Sequence, residues 1–190
     1  MSSVSFVYLS NSIGLLFLLS FLTLSTSQSL NNMSTKPMFL KPARVLALVT
    51  DEFHPINQYV HDWLINKGYE LNLFGSFVTK KDESWVHATT EAARSVASGQ
   101  SDEGIFFCWS GTGSCMTANK VKGIKAALCT DAETVKLARV WNHANVLVLS
   151  NRLLTPELAD SMLLAWFDGS LDVAEGATGV NELKGLENDE

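Results

Sequence analysis

Gly104-Ile-Phe-Phe-Cys-Trp-Ser-Gly-Thr-Gly113, running on into Ser114-Cys-Met-Thr-Ala-Asn-Lys-Val121, is the stretch on which the fold turns. The apolar run from Gly104 to Cys108 reads as a strand buried on both faces, the habit of central strands in parallel sheets. Small residues and two glycines then predict a tight turn, and Ser114 to Val121 predicts a short helix. A strand that ends on a cysteine and turns at once into a helix presents its thiol beside backbone N–H groups aimed the same way. Cys108 is thereby set, as a base, next to a place where Gly111, Thr112, Gly113 and Ser114 can hold a developing oxyanion.

Outward from this stretch, short β-rich runs alternate with helical ones, the mark of parallel βαβ units. Arg44 to Thr50 predicts a first strand. Ile56 to Lys67 predicts a helix, with Ile56, Tyr59, Val60, Trp63 and Leu64 at helical spacing and Gly68 as its stop. Glu70 to Phe74 predicts a second strand, Gly75 to Glu83 a polar loop, and Val86 to Ser98 a second helix closed by Gly99. Ile124 to Cys129 predicts a fourth strand, Asp131 opens a helix to about Asn142, Val146 to Ser150 is a fifth strand, and Thr155-Pro-Glu starts a last helix through Phe167. The pattern predicts a three-layer α/β/α sandwich over residues 41–167, built on a five-stranded parallel, doubly wound, Rossmann-like sheet. Ligand is then expected at the carboxyl ends of the strands, where Asp51, the Cys108–Gly113 turn, Thr130-Asp131 and Asn151-Arg152 fall.

A chain of 190 residues leaves room for one domain beside a separable N-terminus. A formal net charge of −6 argues against nucleic acid or an anionic membrane surface as partner. From Met1 to Thr35 there is no charged side chain, and Ile13 to Leu24 is an apolar run of signal-peptide length, too short for a comfortable membrane span. Residues 1–32 therefore read as a signal-like or targeting segment, while Met33 opens a second possible start. Three cysteines, Cys108, Cys115 and Cys129, leave one unpaired in any disulfide scheme and match no zinc spacing. A working thiolate prefers a reducing compartment, which favours a cytoplasmic protein begun at Met33 over the secretory reading of the N-terminus. Residues 168–190 turn acidic and predict a frayed tail or linker.

Asn119-Lys-Val-Lys-Gly-Ile-Lys-Ala-Ala-Leu-Cys129 and Ala138-Arg-Val-Trp-Asn-His-Ala-Asn-Val-Leu-Val-Leu149 closely resemble the ribose-5-phosphate isomerase B family, which includes the galactose-6-phosphate isomerase subunits. The likeness covers Arg44 to about Phe167. It looks especially like the isomerase-like domain of plant DNA-damage-repair/toleration proteins, where a C-terminal cupin follows. The resemblance implies a homodimer with sites between subunits, acting on a sugar or sugar phosphate by aldose–ketose isomerisation without metal or organic cofactor. It further implies Cys108 as the base and Ser110 as a carrier of protons between substrate oxygens. The loop of Gly111, Thr112, Gly113 and Ser114 would bind the enediolate, with Asp51 and Asn142 contacting substrate.

The departures from that pattern are specific. Glu52 stands where the family has a histidine after the first-strand aspartate, and Trp141 where it has its ring-opening histidine. Trp85 replaces a tyrosine, and the phosphate-gripping arginines of the C-terminal segment have no counterpart between Asp168 and Glu190. Two functional readings follow: an isomerase diverged in substrate, or a non-catalytic sugar- or anion-binding module that keeps the fold. Arg152 reads as the best remaining cation at the sheet edge, in a salt bridge. Cys115 and Cys129 are assigned to packing.

Overall fold

The computed structural model describes residues 44–168 and 176–187, so the expectations for the N-terminal segment and for Met33 lie outside the described residues. In chain order the elements are β1 (Val45–Thr50), α1 (Pro55–Asn66), β2 (Glu70–Gly75), α2 (Ser76–Thr79), α3 (Trp85–Ala97), β3 (Glu103–Cys108), α4 (Thr112–Ala118), β4 (Ala126–Leu128), α5 (Ala132–Asn142), β5 (Val146–Ser150), α6 (Pro156–Asp168) and α7 (Ala177–Leu186). The strands form one sheet in the order β2-β1-β3-β5-β4, and every pair is parallel.

Side-chain alternation along the strands builds the layers. Leu46 and Leu48 of β1, Ile105 and Phe107 of β3, and Leu147 and Leu149 of β5 pack with Val60 and Leu64 of α1, Val135 of α5 and Met162, Leu163 and Trp166 of α6. The intervening residues, Ala47, Val49, Phe106, Val146 and Val148, face Ala88, Ala92, Ala93 and Val96 of α3 and Ala118 of α4. The fold is thus a three-layer α/β/α sandwich of Rossmann-like type. β3 lies at its centre, buried along its whole length.

Both ends of β3 carry polar work. At its start Glu103 is only 5% exposed, and its carboxylate accepts from Arg139 Nη2 (2.7 Å), Arg44 Nη2 (2.8 Å) and Trp166 Nε1 (2.9 Å). The Arg139 guanidinium lies 4.3 Å from the centre of the Trp166 ring and donates to the Ala144 carbonyl. One buried carboxylate therefore links β3 to α5, α6 and the residue preceding β1. At the other end β3 stops at Cys108, where the chain turns.

Three expectations change. The loop over Gly75–Glu83 contains the single turn α2, whose Ser76 hydroxyl lies 2.5 Å from the Asp51 carbonyl and 2.6 Å from that of Lys81. α4 begins at Thr112, two residues before the predicted start, because Gly111 already serves as its N-cap. The segment read as a frayed acidic tail carries α7, with Val180 buried and the Glu187 carboxylate accepting the Gly123 N–H at 2.9 Å.

Removing one member of a buried ion pair leaves the other charge without compensation. Glu103→Ala is expected to destabilise the fold by about 3–5 kcal/mol in urea unfolding with an unchanged slope. Glu103→Gln, which keeps an acceptor for Trp166, should lose less.

Candidate active site

The chain leaves β1 toward β2 on one side and β3 toward β4 on the other, so the carboxyl ends of β1 and β3 flank the switch in winding direction where such sheets bind ligand. Thr50 pairs with Phe107, which brings the next residues, Asp51 and Cys108, side by side on adjacent strands. Both continue the face that carries Val49 and Phe106, the side covered by α3 and α4.

The turn after β3 is fixed by Gly111, whose φ of 79° lies in the left-handed region. A Cβ there would stand 2.4 Å from Leu128 Cδ1 and 3.4 Å from the Leu149 backbone. The resulting geometry points the Gly111 N–H at Cys108 Sγ, 3.2 Å away. The first intrahelical bond of α4 runs from Cys115 N–H to the Gly111 carbonyl. The N–H groups of Thr112, Gly113 and Ser114 therefore precede the helical ladder, and no side chain caps them. Ser110 Oγ and Thr112 Oγ1 lie 2.6 Å apart on the open side of this turn.

Not every predicted residue contributes its side chain. Ser114 is fully buried, with its hydroxyl donating to the Phe107 carbonyl and paired with Thr89 Oγ1 at 3.0 Å, so only its N–H can serve a ligand. Gly113 is not left-handed; its small size instead accommodates the Trp85 ring, which comes within 3.0 Å of a Cβ built there. Asn142 ends α5, which runs back from the carboxyl end of β4 to the amino end of β5, so within one chain it sits at the opposite end of the sheet from Cys108.

Asp51 is 9% exposed, and its Oδ1 is buried with no hydrogen-bond partner. Burial pushes its carboxyl above the ordinary carboxylate range, and Glu52 adds to that, while its own backbone N–H opposes it. This unpaired buried acceptor lies beside the cysteine on the neighbouring strand. Glu52 Oε2 lies 3.2 Å from His54 Nε2, and the His54 ring packs at 5.5 Å against Trp109, which is half exposed. His54 escaped the sequence reading because it stands two residues beyond the position where the family pattern has histidine.

Arg152 is exposed at the same edge, with its N–H bonded to the Trp109 carbonyl at 3.1 Å, and it forms no salt bridge among the described residues. The salt bridge expected for it is therefore not found there. Its signal in the sequence was its place two residues after the fifth strand. Asn57 Nδ2 donates to Asn151 Oδ1 at 2.7 Å, and the Asn151 amide lies 3.4 Å from Thr50 Oγ1, so this pair braces the loops after β1 and β5.

The other two thiols behave as packing groups. Burial pushes Cys129 up to about 12, with Asp131 and Cys115 adding to it, and burial likewise raises Cys115. Neither receives the glycine-turn N–H that Cys108 has.

A cysteine beside an N–H cradle thus stands at the winding switch of this parallel sheet. The Ribose/Galactose Isomerase family pattern matches residues 47–183, and the chain belongs to that family. It is 31% identical over 131 residues to the D-erythrulose-4-phosphate isomerase of Pectobacterium atrosepticum, covering 69% of this chain and 86% of that protein. To ribose-5-phosphate isomerase B of Escherichia coli it is 29% identical over 124 residues, covering 65% and 83% of the two chains. The ribose-5-phosphate isomerase B structure from Clostridium thermocellum superposes with a TM-score of 0.72 at 29% identity, over 76% of this chain and 98% of that one.

Two substitutions separate backbone strain from packing. Gly111→Ala forces a left-handed alanine against Leu128 and is expected to cost about 1–3 kcal/mol, whereas Gly113→Ala, inside α4, should cost under about 1 kcal/mol. Chemical denaturation of both variants checks the order.

For Asp51 the native carboxyl holds its proton to higher pH than the unfolded one, so stability falls as pH rises from the ordinary carboxylate value through the raised native value. Asp51→Asn removes that penalty. The variant should melt higher than the parent at neutral pH, by about 2–4 °C for each kcal/mol relieved, and the gap should close as pH falls through that window. An equal gap at all pH values would place the effect elsewhere.

Proposed function

We propose that this chain is an aldose–ketose isomerase that works through an enediolate on a short, open-chain sugar phosphate. The observation that carries the reading is the Gly111 N–H aimed at Cys108 Sγ, with the first-turn N–H groups of α4 opening beside it. In this mechanism the Cys108 thiolate takes the proton from the carbon next to the carbonyl. The N–H groups of Thr112, Gly113 and Ser114 hold the negative oxygen that forms. Ser110 and Thr112, whose hydroxyls lie 2.6 Å apart, move a proton between the two substrate oxygens. The thiol then returns its proton to the neighbouring carbon, so that nothing is consumed. Asp51 Oδ1 receives a substrate hydroxyl, and Arg152 meets the terminal phosphate.

The substrate class follows from what the ring chemistry requires. A four-carbon sugar with phosphate on its last oxygen has no hydroxyl placed to close a five-membered ring. Trp141, standing where the resemblance puts a ring-opening histidine, is then no handicap. One relative is named for such a four-carbon sugar, D-erythrulose 4-phosphate. Asn142, at the far end of the sheet, can serve a substrate only in the site of a second copy. We therefore take the chain as a homodimer in which each copy supplies Asn142 and Trp141 to the other's cysteine loop.

The test is proton exchange from D₂O, followed by NMR, with D-erythrose 4-phosphate and D-ribose 5-phosphate. Deuterium should enter the carbon next to the carbonyl faster with the four-carbon sugar, and Cys108→Ala should reduce the rate by about 10²–10⁴. Arg152→Gln should raise KM by about 10- to 100-fold with a smaller change in kcat. Ligand-induced thermal stabilisation that survives Cys108→Ala, with no exchange from either sugar, would replace this reading by that of a binding module without turnover.

A further inference from the structure

α3 runs from the carboxyl end of β2 back toward the start of β3, so its first residue, Trp85, stands at the ligand end of the sheet, on the face that Asp51 and Cys108 continue. The chain on either side of Trp85 is fixed to the site. Two residues before it, the Glu83 N–H donates to the Asp51 carbonyl at 2.9 Å. One helical turn after it, Thr89 Oγ1 lies 3.0 Å from Ser114 Oγ, and both residues are buried. Ser84 caps the helix, its hydroxyl accepting from the His87 N–H at 3.4 Å.

Trp85 is therefore held between the end of β1 and the first turn of α4. Its six-membered ring lies against Gly113: Cε3, Cδ2 and Cζ3 are 3.0, 3.2 and 3.3 Å from a Cβ built there. Gly113 carries one of the N–H groups that precede the α4 ladder, so the ring borders the proposed anion cradle. The side chain is 43% exposed and meets solvent at the site instead of filling the core.

From this placement we infer that Trp85 sets the length of sugar phosphate the site accepts, its ring being the wall at which a chain longer than four carbons is stopped. The inference rests on the isomerase reading for where the substrate lies, and gives that reading a physical reason for the short chain. With the reacting carbons between Cys108 and the N–H groups of α4, a further carbon must either displace the indole or draw the reacting carbons away from the thiol. The indole is rigid, and the buried Thr89–Ser114 contact holds α3 to α4, so both shifts are opposed.

The experiment titrates 4-phospho-D-erythronate and 5-phospho-D-ribonate, acids of four and five carbons whose carboxylate stands for the enediolate, into the full chain, with the Gly113 amide signal followed by NMR. The four-carbon acid should bind about 10- to 200-fold more tightly. Trp85→Ala should bring the two within about threefold, mainly by tightening the five-carbon acid, and Trp85→Phe, which keeps a smaller ring at the helix start, should fall between. Equal affinities in the parent, no binding of either acid, or weakening of both acids with their ratio unchanged in Trp85→Ala would each overturn the inference. The isomerase reading fails differently: no deuterium exchange from either sugar, with the acid selectivity and its response to Trp85→Ala intact, removes turnover and leaves Trp85 as the length-setting wall of a binding site.

Discussion

The left-handed turn at Gly111 is the constraint on which the site depends. With φ at 79°, the chain leaves β3 and enters α4 within a few residues, in a left-handed turn where a side chain would have to displace the end of Leu128. That closeness aims one N–H at Cys108 Sγ and leaves the next three at the open end of a helix. A longer or looser connection would deliver the same residues without the common direction, and a dipole contributes only along the line on which it points.

The opposite end of the same strand solves a different problem. Glu103 draws Arg139 and Trp166 onto the start of β3, and its carboxylate is saturated by three donors. Burying an ion pair contributes little net stability, but it penalises any packing in which α5 and α6 shift along the sheet. Unpaired buried polar atoms occur at both ends of the sheet, Arg139 Nε in the Glu103 network and Asp51 Oδ1 beyond β1, and at the latter end the first-turn N–H groups of α4 also lie outside the helical ladder.

The layers were legible because period-two and helical patterns survive in short windows, and the glycine turn because few residues tolerate its backbone. Side-chain direction was not legible. Ser114 has the right chemistry for an anion site, yet it points into the sheet toward Phe107 and Thr89. Asn142 was placed by resemblance, and only the sheet order reveals that α5 carries it to the far edge. α7 was hidden by composition: the acidic residues flanking it and its own two glycines outweighed the apolar row Ala177, Val180, Leu183 and Leu186, whose three-residue spacing was the signal available. Arg152 was visible, but exposure cannot be read from one sequence.

Glu52 changes what Asp51 can do. A histidine beside the aspartate would offer a positive charge and favour the ionised form, whereas Glu52 adds to the effect of burial and favours the protonated one. On this argument the exchange of histidine for glutamate raises the cost of an ionised Asp51 while leaving the geometry of the cysteine turn in place.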